Sequence, residues 1–191
     1  MKAVIVSGPP ATDDTHRPLI GGKPVAWHIM RRLAAFAITD FILCGPSLGG
    51  RELWAEAESG WQLQVLPDGG LKQAEPFIEE DLFVVAYGNG LADIDVAAML
   101  AFSRAQGRLA TVTAVRPADE YLPAGFFVLR RGVFDYLDRD SVLDHEPLVA
   151  LAEDGELCAY RHDGFWQQVA DDHDGTVLNE LWAAGRAPWA A

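Results

Sequence analysis

Two short runs concentrate the side chains that could do chemistry. Asp13-Asp14-Thr15-His16 and Asp171-Asp172-His173-Asp174 each set carboxylates beside a histidine. A neighbouring carboxylate fixes an imidazole's tautomer and holds its charge, which is the material of general acid–base catalysis. Asp13, Asp14, His16 and His173 are therefore the candidate catalytic groups. The same atoms are donors for a divalent metal, with Asp171 and Asp172 the candidate ligands. Runs of this kind also occur as solvated loops whose aspartates cap helices, and that alternative stays open. No GxGxxG, HExxH or serine-nucleophile pattern accompanies them, and Gly88-Asn89-Gly90 is too short a fragment to imply dinucleotide binding.

The charge balance limits the partners. Fifteen Lys and Arg against 28 Asp and Glu leave a net charge of −13. A sequence-independent grip on nucleic acid needs clustered cations, and so does docking on anionic lipid; neither is expected. Lysines are scarce, only Lys2, Lys23 and Lys72. Cys44 and Cys158 have no metal-ligand spacing around them and read as reduced thiols. The N-terminal apolar run is too short for a signal-peptide core, and no stretch approaches the ~20 apolar residues of a membrane span. A cytoplasmic protein is the expectation, with a homo-oligomer left open.

The elements that must position these groups alternate along the chain. Compact apolar runs at Ala3–Ser7, Asp40–Cys44, Leu82–Tyr87 and Leu109–Val115 read as buried strands, and Trp61–Leu66 as an alternating one. Helical patterns lie between them: one after Pro24, one at Arg51–Glu58, and one opened by Asp95 and closed by Gly107. Further on, Gly125–Leu129, Cys158–Arg161 and Phe165–Val169 read as strands, while Val133–Leu137, Pro147–Ala152 and Thr176–Ala184 read as helices. Continuous apolar strands separated by helices predict an α/β fold, a mostly parallel central sheet covered on both faces, as one domain over residues 1–191.

Several segments, in order, carry a resemblance. KAVIVSG, IGGKPVAWHIM, AYGNGLADID, GRLATVTAVRP, GFFVL, YRHDGFWQ and ELWAAGRAPW are similar to segments of glucose-1-phosphate cytidylyltransferases, members of the sugar-phosphate nucleotidyltransferases. The resemblance spans Met1 to Trp189. It implies a Rossmann-like nucleotidyltransferase core with a small molecule, nucleotide or sugar phosphate, bound in a cleft at the carboxyl ends of the strands. In that family a GGxGTRL loop and a PKP lysine hold the triphosphate. A GDG aspartate and a later aspartate hold Mg²⁺, the cofactor the resemblance implies. Cations and metal offset charge as the sugar phosphate attacks the α-phosphate.

The departures fall on these same parts. Of the loop, Gly8 and Thr12 survive, while Pro9 and Pro10 have no amide hydrogen to offer a phosphate. Asp13 stands where the arginine belongs, an anion facing an anion. The PKP lysine falls at Thr15, with His16 and Arg17 the nearest substitutes and Arg17 the one able to compensate in part. Asn89 replaces the GDG aspartate; its amide oxygen can ligate Mg²⁺ but brings no charge. Ala170 replaces the later aspartate, with Asp171 and Asp172 next to it, and a one-residue slip of the correspondence would restore a carboxylate there. The connections from Gly45 to Gly69 and from Pro117 to Gly125 are contracted, and with the second goes the EKP segment. Lys23, Lys72, Tyr87 and Asp93 lie in retained segments as candidate ligand contacts, with structural alternatives of ion pairing for Lys23 and core packing for Tyr87.

Three readings follow. The first is a degenerate transferase acting as a binding or assembly protein. The second is a repurposed enzyme, for example in specialised metabolism, that uses the Asp/His groups of the old cleft. The third is a residual nucleotidyltransferase. If the Asp/His runs form a new catalytic site, alanine at His16 or His173 abolishes the activity while the melting temperature stays within a degree or so of wild type; a parallel loss of folding would assign them to structure instead.

Overall fold

A computed structural model describes residues 1–7, 18–48, 60–116 and 120–190. Gly8, Asp13, Asp14, His16 and Arg17, and the helix expected at Arg51–Glu58, lie outside the described residues. The strands are β1 (Lys2–Val6), β2 (Asp40–Cys44), β3 (Gln62–Leu66), β4 (Leu82–Tyr87), β5 (Gly90–Ala92), β6 (Ala110–Val115), β7 (Leu122–Arg130), β8 (Leu157–His162) and β9 (Trp166–Gln168). Seven of them form one sheet in the order β3-β2-β1-β4-β7-β6-β8, and β5 pairs with β9 in a small second sheet. Within the large sheet β7 alone runs against its neighbours. The strands at its centre have no side open to water, so alternation disappears: Phe83 to Tyr87 are all buried.

The helices are α1 (Val25–Ala34), α2 (Val96–Gln106), α3 (Glu146–Glu153) and α4 (Asp172–Ala183). One core layer joins the sheet to α1, α2 and α4; the other joins it to α3 and two 3₁₀ segments, Lys72–Phe77 and Arg131–Tyr136. Asp95 accepts a hydrogen bond from the Ala98 amide at 2.9 Å, and Gly107 at φ 68° ends α2. Both caps follow from residue type: a short side-chain oxygen satisfies a free N–H, and glycine alone adopts the left-handed turn without strain. The helix expected at Val133–Leu137 is instead 3₁₀, too short for a stable α-helical turn pattern. The last helix begins at Asp172, four residues earlier than its apolar pattern suggests.

His28, on α1, is 2% exposed and has both ring nitrogens engaged. The Trp189 indole can only donate, so Nδ1 accepts from it at 3.3 Å. Nε2 therefore carries the hydrogen and donates to the Ile20 carbonyl at 2.8 Å. Edge-on rings of Trp27, Trp182 and Trp189 surround it. Burial holds the imidazole below its usual value, against the smaller opposing pull of the Ile20 carbonyl. A histidine neutral in the fold but free to protonate when unfolded loses stability as pH falls below the unfolded value of about 6.5. Urea unfolding of wild type should therefore weaken more steeply between about pH 7.5 and about pH 5.5 than that of His28→Phe; parallel curves would exclude His28 as the cause.

Candidate functional site

The parallel strands end level. Val6 pairs with Cys44 and Tyr87, and Cys44 with Leu66. Above these ends lies a cavity of about 630 Å³, walled by Val6, Val85 and Tyr87, the turn at Gly69–Gly70 and the loop Arg139–Leu143. Gln73 fastens two of these walls: its Oε1 accepts from the Gly70 amide at 2.6 Å, and its Nε2 donates to the Arg139 carbonyl at 2.9 Å. Lys72, next to it, is a clamp between the 3₁₀ segments. Its Nζ donates to the Phe134 carbonyl at 2.8 Å and pairs with Glu75 at 2.9 Å. It is not among the cavity's lining residues.

Tyr87 is 7% exposed and lines the cavity. Its hydroxyl lies beside the Asp144 carboxylate, close enough for each to feel the other electrostatically. They are not aligned as a hydrogen-bonded pair: Tyr87 Oη and Asp144 Oδ1 are both buried without a partner. Burial, then the Asp144 charge, push the phenol up; burial also raises Asp144. Sequence reasoning did not single out Asp144, since a lone aspartate before a helix carries no motif.

The β4–β5 turn and the strand β9 bring two other positions together. The Val169 amide donates to the Asn89 carbonyl at 2.7 Å, and the β5–β9 ladder continues the pairing. Asn89 and Ala170 are thereby held at one corner. Asp171 is the N-cap of α4, accepting from the Asp174 amide at 3.0 Å. Asp174 accepts in turn from Gln167 Nε2 and the Ala170 amide, both at 2.9 Å. Asp172 and His173 are exposed in the first helical turn. Among the described residues, no three His, Cys, Asp or Glu side chains group as a metal site would require. For Mg²⁺ the two positions where the family's aspartates are expected do not fit, since Asn89 brings an uncharged amide and Ala170 a methyl group, while both Asp174 oxygens and Oδ1 of Asp171 are engaged in hydrogen bonds.

Helix α4 presses on the segment that follows the first Asp/His run. Asn179 Nδ2 donates to the Leu19 carbonyl and Oδ1 accepts from the Gly21 amide, both at 2.8 Å. Pro18 lies so near Gly175 that a Cβ there would collide with its ring. Lys23 is at the far side of this segment, its Nζ 5.8 Å from the centre of the Trp27 ring.

Asp93 lies against His162 without a hydrogen bond between them. Its Oδ1 is 3.0 Å from His162 Nε2, whose hydrogen is directed to the Phe165 carbonyl at 3.1 Å, and that buried carboxylate oxygen has no hydrogen-bond partner. Arg32 holds the Asp93 and Ile94 carbonyls at 2.9 and 3.0 Å. The pair was missed in the sequence because His162 and Asp93 are far apart in it; the local signal is Gly164, where a side chain would strike both.

These features can be placed among known proteins. No protein-family model matches the chain. Its fold matches a Bacillus anthracis protein described as a glucose-1-phosphate thymidylyltransferase, solved with sucrose, at TM-score 0.76 and 18% identity over 94% of each chain. It also matches the inositol-1-phosphate CTP transferase of T. maritima, at TM-score 0.74 and 15% identity over 95% of this chain and 94% of that one. A Rossmann-like nucleotidyltransferase core is thus the fold. The glucose-1-phosphate cytidylyltransferase of Salmonella typhimurium is 30% identical over 253 aligned positions, covering 99% of this chain and 98% of that protein. The chain belongs to the glucose-1-phosphate cytidylyltransferase family of sugar-phosphate nucleotidyltransferases. It is shortened within it: the alignment exceeds the chain's 191 residues by 62 positions.

Gly164→Ala should lower the melting temperature by several degrees, corresponding to about 1–3 kcal/mol of overpacking at Asp93 and His162. An unchanged melting curve would mean that the Asp93–His162 contact does not order this corner.

Proposed function

We propose that this family member has given up nucleotidyl transfer and serves as a binding or assembly protein, its small-molecule ligand seated in the 630 Å³ cavity at the strand ends. One observation carries the reading. Asn89 and Ala170, the positions where the resemblance calls for Mg²⁺-holding aspartates, are joined through the Val169–Asn89 hydrogen bond. The backbone holds these two positions at one corner, and neither brings a carboxylate. Transfer of a nucleotidyl group rests on charge compensation, so this loss removes its principal source of rate. Among the described residues, Asp171 caps α4 through Oδ1, Asp174 accepts from the Ala170 amide and Gln167, and Asp93 lies against His162, which leaves the exposed Asp172 as the carboxylate at this corner without a structural partner.

The second reading, a repurposed enzyme, draws support from Tyr87 and Asp144. Tyr87 lines the cavity with its hydroxyl beside the Asp144 carboxylate, and burial raises both, so the phenol keeps its hydrogen to donate to a bound neutral substrate. In that case Asp144→Asn would abolish turnover while leaving ligand affinity within a few-fold of wild type.

The test is pyrophosphate release from each nucleoside triphosphate with glucose 1-phosphate and Mg²⁺. No turnover is expected, and a rate of about 1 s⁻¹ or faster would overturn the reading. Paired substitutions Asn89→Asp and Ala170→Asp should create a Mg²⁺-dependent rise in melting temperature that wild type lacks. An equal rise in wild type would show that the metal is held by other groups.

A further inference from the structure

In a chain with 15 cationic and 28 anionic side chains, a corner where guanidinium groups gather without matching carboxylates is unusual. Arg116 follows β6, Tyr121 precedes β7, and Arg161 lies in β8. Strand register brings them together: Val115 pairs with Leu122 on one side and His162 on the other, and Ala114 pairs with Arg161. Both guanidinium carbons lie over the Tyr121 ring, Arg116 at 5.7 Å from its centre and Arg161 at 5.1 Å. The ring's negative face attracts each of them and so restricts two long side chains.

Two guanidinium groups that border one ring and one cavity repel each other, and a shared anion relieves that repulsion. Among the described residues only Asp163 pairs with either arginine, 3.5 Å from Arg161, and both partners are mostly exposed. An exposed pair of this kind is worth at most about 1 kcal/mol, so it yields readily to a better anion. Arg116 and Arg161 line one cavity of about 240 Å³, with His162, Asp163, Gly164 and Trp166. His162 Nε2 and Trp166 Nε1 are already engaged by the Phe165 and Ala124 carbonyls. The guanidinium groups are the cavity's cationic donors.

We propose that Arg116, Tyr121 and Arg161 form an anion site that takes the phosphoryl group of a phosphate monoester. Guanidinium forks match phosphate oxygens bidentately, and two positive charges suit a group carrying roughly −1.5 to −2 better than a single carboxylate. The corner stands at the carboxyl ends of β6 and β8, away from the larger cavity over β1 to β4. It rests on no part of the reading given above for that cavity.

Isothermal titration calorimetry of the whole chain at low ionic strength tests it, with inorganic phosphate, glucose 1-phosphate and glucose as probes. Both phosphate-bearing probes should bind saturably and glucose should not. Equal affinity for the two assigns the site to the phosphoryl group alone; tighter glucose 1-phosphate assigns it to a sugar phosphate. Arg116→Ala and Arg161→Ala should each weaken phosphate by roughly tenfold or more, and Arg161→Lys should not restore it. Asp163→Asn should tighten binding a few-fold, because the competing carboxylate is gone. All three positions are surface ones, so melting curves should coincide with wild type. Phosphate that fails to saturate, or that binds the double alanine variant as it binds wild type, would overturn the proposal.

Discussion

The parallel pairing of β1 with both β2 and β4 is the constraint on which the rest depends. Ala3 and Ile5 face one core layer and Val4 the other, so a five-residue strand joins both. Its register levels four strand ends in one row, and three backbone bonds finish that row: Ser7 to Cys44, Gly45 to Leu66 and Gly88 to Val6. A level row of strand ends is what makes a concave floor possible. Loops rising from it become walls, and their side chains decide what the floor receives.

Much of this frame was legible in the chain. The unbroken apolar run of β4, the Asp95 cap and the Gly107 stop each have one local physical cause, and each fell where that cause put it. Other features depend on distant partners. Gly175 reads as a helix breaker, so the pattern placed the last helix after it; in the fold the helix runs through it because only glycine leaves room for Pro18. Lys72 reads as a ligand contact in a retained segment, yet its partner is a carbonyl 62 residues away. The strands β5 and β9 are three residues each, below any period that a sequence displays.

The site divides in the same way. Loss of carboxylate at Asn89 and Ala170 was visible as residue identity, whereas their adjacency needed the β5–β9 ladder. The run Asp171 to Asp174 carried an ambiguity that local chemistry alone could not resolve, since aspartates cap helices and bind metals through the same oxygens. Hydrogen bonds from Ala170 and Gln167 engage both oxygens of Asp174, and the Asp174 amide engages Oδ1 of Asp171. The scarce cations are similarly absorbed into architecture: Arg32 holds two carbonyls, Arg130 pairs with Asp81, and Lys2 bridges Asp40 and Glu80.

The bond between Trp189 and His28 joins residues 161 apart in the chain. Synthesis proceeds from the other end, so α1 leaves the ribosome with its histidine facing an unfilled place among Trp27 and Ile20. Only after Trp189 has emerged can the indole enter and close that layer. The order of assembly is therefore set by topology: the N-terminal βαβ unit can dock early, but its interior waits for a partner 161 positions further along.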